Sequence, residues 1–66
     1  MIVTQFAAEI NKELRARMNK LADHLAGGYC ETIEQYRAVC GEIKGLAVAE
    51  GMLLDAAERM ERVNDN

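Results

Sequence analysis

The chain has 66 residues, no proline, two cysteines and three aromatic residues; half of its residues are hydrophobic and its formal net charge is −3. A chain this short forms at most one small domain and is marginal unless stapled or assembled. The hydrophobic content argues against disorder, the acidic balance argues against a basic nucleic-acid binder, and no apolar run approaches membrane-spanning length.

The charge is unevenly placed. Residues 1–30 carry Lys12, Arg15, Arg17 and Lys20 against Glu9, Glu13 and Asp23, about +1 in sum, whereas residues 31–66 sum to about −4. The two halves can attract each other or a neighbouring copy; the plainer expectation is a solvated helical surface. The first residues, MIVTQFAAEINKELRARM, are periodic rather than continuously apolar, and charge arrives by Glu9, which is unlike a secretory signal. Cys30 and Cys40 are expected to be reduced thiols. If both lie near the second helix they are about 15 Å apart along its axis, too far to bridge. A reducing compartment follows, with an intermolecular bridge through Cys30 as the lesser alternative.

Ala, Glu, Leu and Met dominate and favour helix. Thr4 is the expected N-cap of a first helix over about residues 4–26. Its apolar face is Ala7, Ile10, Leu14, Met18, Leu21 and Leu25, at steps near three and four. The 4, 3, 4 spacing from Leu14 to Leu25 matches a coiled-coil seam but lasts under two heptads. Lys12, Arg15, Asn19 and Asp23 fall on the outer side. Ala26-Gly27-Gly28 stops the helix, with Gly27 as the expected C′ residue. His24, in the last turn, suits the terminal carbonyls when protonated.

Thr32-Ile33-Glu34-Gln35 reads as a capping box and starts a second helix over about 32–63. A linker of about five residues makes an antiparallel helical hairpin the natural outcome. The fold expected is therefore all-α, one two-helix hairpin domain over residues 1–66, completed by oligomerisation or by docking on a larger protein. The second helix is the longer, about 46 Å against about 33 Å. Its last turns (Met52, Leu53, Ala56, Met60, Val63) are expected to overhang the hairpin or to meet Met1, Ile2, Val3 and Phe6. Asn64, Asp65 and Asn66 are expected to fray.

The second helix carries two apolar faces, and one face serves one neighbour. Tyr36, Val39, Cys40, Ile43, Leu46, Ala47, Leu54 and Ala57 form a large-residue face for the first helix. Ala38, Gly41, Gly45, Val48, Ala49, Met52 and Ala56 form a small-residue face, extended by Met60. Two glycines one turn apart inside a helix each cost about 1 kcal/mol relative to alanine. Close approach of a neighbouring helix accounts for them; tolerance on a solvated face is the alternative. Glu50 falls among the large residues. It either pairs with a cation of a neighbouring subunit or reaches solvent where the face narrows, the second being slightly favoured.

Catalytic and metal chemistry find no support. There is one histidine, no zinc-ligand spacing, no glycine-rich phosphate loop and no defensible Cys–His pair. No catalytic residue, metal ligand or cofactor is expected. Lys12 and Arg15 diverge from Arg17 and Lys20 around the helix and no aromatic is interleaved, so RNA binding by a dimeric hairpin stays a second alternative. A small plasmid copy-number protein that binds paired RNA loops is an acidic hairpin of similar length, but the likeness is architectural and no motif is shared.

Ala22-Asp23-His24-Leu25-Ala26-Gly27-Gly28, followed by Tyr36-Arg37 and Gly41-x-Ile43-x-Gly45-Leu46, resembles small proteins of tailed bacteriophages that often lie among genes for head and portal proteins. The resemblance covers roughly residues 21–54. It implies a virion-associated or assembly-associated helical hairpin repeated around a symmetric ring, and no catalytic residue. The functional expectation is a non-enzymatic structural or interaction protein of the virion or host cytoplasm. Its expected partners are itself, a larger phage structural protein, or both, through Ala38, Gly41, Gly45, Val48, Ala49, Met52, Ala56 and Met60. A small regulator that docks on and inhibits a host enzyme is the first alternative.

Overall fold

The computed structural model describes residues 2–64; Met1, Asp65 and Asn66, and the side chains of Ile2, Val3 and Asn64, lie outside the described residues, as do the expectations resting on them. Two helices, α1 (Ile2–Ala26) and α2 (Ile33–Asn64), pack as an antiparallel hairpin measuring 53 × 15 × 10 Å, with no strand among the described residues.

The connection is built from local chemistry. Gly28 adopts φ = +74°. Around it, the amide of Tyr29 donates to the His24 carbonyl at 3.4 Å and that of Gly28 to Leu25 at 3.1 Å. That pair of bonds is the Schellman pattern, with the left-handed residue at C′. C′ is thus Gly28, not the expected Gly27. Gly27 serves a different need: a Cβ there would stand 2.5 Å from the Tyr29 ring. The ring folds back over the helix end and stacks on His24 with centroids 5.5 Å apart.

Across the loop, Thr32 is the N-cap of α2. Its hydroxyl accepts from the Gln35 amide at 3.1 Å, and the Gln35 side chain accepts from the Glu31 amide at 2.7 Å. The capping box is present with its return arm displaced by one residue, from the cap to the residue before it. At the other end, α1 begins at Ile2 and Thr4 is inside it. The Thr4 hydroxyl reaches Glu61 instead of capping.

That contact overturns the expected C-terminal overhang. Thr4 stands level with Glu61 and Arg15 with Glu50. The same register brings Ala26 level with about Val39, so α2 projects past α1 at the loop end. The projection, Ile33 to Ala38, is about 9 Å long. Ile33 and Tyr36 are exposed there, beside exposed Tyr29.

The seam of α1 is Ala7, Asn11, Leu14, Met18, Leu21 and Leu25, all buried or half-buried, with Ile10 on its shoulder. Asn11 takes a seam position that sequence periodicity assigned to Ile10, and its Oδ1 is buried without a hydrogen-bond partner. On α2 the covered residues include Val39, Cys40, Ile43, Leu46, Glu50, Leu53 and Ala57. Leu53 joins this face; Tyr36, Ala47 and Leu54, expected on it, are exposed.

Among the described residues only Ala7, Met18 and Leu21 are buried apolar residues, and none of their side chains is completely enclosed. The accessible surface is 5133 Å². A compact monomer of 7.3 kDa exposes about 4,200 Å², so this hairpin carries an excess of about 1,000 Å².

Candidate docking face

Among the described residues Glu50 is the one buried charged side chain, 8% exposed. Arg15 of α1 grips it with two bonds, Nε to Oε2 at 2.6 Å and Nη2 to Oε1 at 2.8 Å. Both expectations for Glu50 are therefore corrected: it neither reaches solvent nor awaits another subunit. Its partner comes from its own chain. Arg17 likewise holds Oε2 of Glu42, at 2.8 Å from Nη2 and 3.1 Å from Nε. The opposed charges of the two halves are thus joined within the hairpin at two points, and both arginines of the basic group are engaged by carboxylates.

Among the described residues, the apolar side chains on the face of α2 turned away from α1 are not covered by α1. Val48 is 56% exposed, Met52 67% and Met60 52%, and Ala38, Gly41 and Gly45 are exposed between and above them. Ala49 and Ala56 are half-buried. They mark the border where the outer stripe meets the covered face, a position that the spacing alone did not distinguish. Val63, also exposed, continues the stripe by one turn and was assigned in sequence only to the overhang. With Ala56, Arg59 and Met60 it lines a shallow, mostly apolar groove.

The interior glycines of α2, Gly41 and Gly45 on this face and Gly51 beside it, are not filled by the hairpin. A Cβ at Gly41, Gly45 or Gly51 would meet nothing within 4 Å. No intrachain close approach therefore requires glycine at these three helix-interior positions, where the residue is intrinsically unfavourable.

Cys30 and Cys40 are free and half-buried. Among the described residues no helix is long and apolar enough to cross a membrane, and no group of His, Cys, Asp and Glu is arranged to hold a metal ion. No family model, curated protein or solved structure matches this chain.

Proposed function

We propose that this chain is a non-enzymatic interaction protein that docks through the outer face of α2, as an accessory of a tailed-phage virion or of head assembly. One observation carries the docking reading. A hairpin with about 1,000 Å² more exposed surface than a compact monomer of its mass keeps Val48, Met52 and Met60 in solvent along one helical stripe. The resemblance of residues 21–54 to tailed-phage proteins supplies the setting. The free thiols suit a reducing compartment such as host cytoplasm.

Gly45→Leu places a large side chain at the centre of this face, in space the hairpin itself leaves open. Hairpin helicity should survive and assembly should fail. Mass spectrometry of purified virions, with and without the substitution, reads the outcome. Stoichiometric incorporation that depends on Gly45 supports the reading. Equal incorporation of both forms sinks the face, and recovery of the chain only with a host enzyme sinks the virion role.

A further inference from the structure

We infer that the outer face of α2 takes a second copy of this chain, antiparallel, with a twofold axis passing between Leu46 and Ala47. The inference rests on the docking reading above and names its occupant.

Two features of the stripe, taken together, select this register. The first is size. An antiparallel pairing about that axis brings Gly41 opposite the second copy's Met52, and Gly45 opposite the second copy's Val48. Each exposed large side chain then meets a glycine whose Cβ position is empty in the hairpin. The helix-interior glycines become the holes for Met52 and Val48, the size alternation that close-packed facing helices require.

The second feature is charge. The same register sets Glu34, at the start of α2, opposite the second copy's Arg59, and brings Arg37 within one residue of the level of the second copy's Asp55. Arg59 and Asp55 pair with each other one turn apart along α2, Nη1 to Oδ2 at 3.1 Å, and both stay exposed, so the second copy's Glu34 and Arg37 extend an existing pair into a network of four charges. A parallel pairing does the reverse. It sets Glu34 on Glu34, Arg59 on Arg59 and Gly45 on Gly45, so like charges face each other and the holes face holes. Shifting the antiparallel axis by two residues, to between Val48 and Ala49, still sets Met52 on the second copy's Gly45 but puts Glu34 on its Val63 and Arg59 on its Ala38; Gly41 then loses its large partner and both charge matches vanish.

Area agrees with this occupant. The pairing runs from Glu34 to Arg59, about 38 Å of helix. A standard interface removes about 800 Å² from each partner, close to the surplus of about 1,000 Å² that each hairpin exposes.

The test uses the full chain. Light scattering at about 100 μM should return a dimer; a monomer overturns the inference, and leaves the docking reading to be judged by virion incorporation. Glu34→Arg and Arg59→Glu should each raise the dissociation constant by about tenfold, and the double variant should bind more tightly than either single; Arg59→Glu also breaks the Asp55 bond, so its helical signal is followed by circular dichroism beside it. A double variant as weak as the singles overturns the register. A dimer that ignores these reversals yet is lost in Gly45→Leu overturns the register while preserving the docking face. Cross-linking gives a readout independent of affinity. With Cys30 and Cys40 replaced by serine, Gly41→Cys/Met52→Cys should form interchain disulfides on oxidation, because within one helix those positions are about 16 Å apart. Met52→Cys alone should stay uncrosslinked; ready cross-linking of that single variant indicates a parallel pair and overturns the inference.

Discussion

Arg15 reaches across the hairpin and closes a two-bond fork on the carboxylate of Glu50, whose side chain is 11% exposed while that of the arginine is 62% exposed. The asymmetry decides what each partner is worth. Removing the arginine leaves a carboxylate among the covered residues of α2 with no cation. Removing the carboxylate leaves an arginine already mostly in water.

Arg15→Met is therefore expected to cost about 1–2 kcal/mol, less than a fully buried pair because solvent screens this one. Glu50→Leu should lie within about 1 kcal/mol of the parent, and the double variant should be at least as stable as Arg15→Met. Urea unfolding followed by circular dichroism at fixed protein concentration measures all three. Equal losses from the two single substitutions would contradict the asymmetry.

The two loop glycines separate in the same assay. Gly28→Ala forces a side chain into left-handed φ and should cost about 1 kcal/mol whatever stands at Tyr29. Gly27→Ala collides with the Tyr29 ring, so its cost should fall once Tyr29→Ala is added. If the tyrosine substitution gives no relief, the ring is not what requires Gly27.

Asn11→Leu should stabilise the hairpin by about 1 kcal/mol or more. It removes a buried oxygen without a partner and adds apolar contact at a seam position. Polar seam residues also fix the alignment of helices. If Asn11 does so here, the leucine variant will gain stability and populate more than one oligomeric species by light scattering.

Gly51 supplies a control for the outer face. It is exposed in open space but lies about a quarter turn from the stripe. Gly51→Ala should stabilise α2 by about 1 kcal/mol. Gly45→Ala should show that gain only in a chain whose outer face is free, with a smaller gain or a loss where a neighbour fills the site. Identical gains at both positions at high protein concentration would argue against any partner at Gly45.

Much of this fold is legible in the sequence because its determinants are local. The capping box at Thr32, the glycine stop after Ala26 and the apolar periodicity of both helices each depend on residues within a turn of one another. What was not legible depends on register. The partner of Glu50 lies 35 positions away in the chain, and only the antiparallel alignment names it. The need for glycine at Gly27, one residue before the left-handed Gly28, depends on where the Tyr29 ring lands. The difference in helix length was readable, but its end was not: the loop returns beyond Ala26, so the extra turns fall beside it. The rotation of α2 about its axis is set by the same contacts, which is why Leu53 turns inward, Leu54 outward, and Ala49 and Ala56 stand on the border.

The Schellman turn and the Thr32 cap lock the loop end of the hairpin, whereas the opposite end is joined through the exposed Thr4 hydroxyl and Glu61. Closure over a short loop costs least entropy, so the helices zip from the turn outward. Amide hydrogen exchange should then show a slope along each helix. Protection should be greatest around Leu21 and Ile43 and fall toward Thr4 and Glu61, so that the chain opens as a pair of tongs whose hinge is the glycine turn.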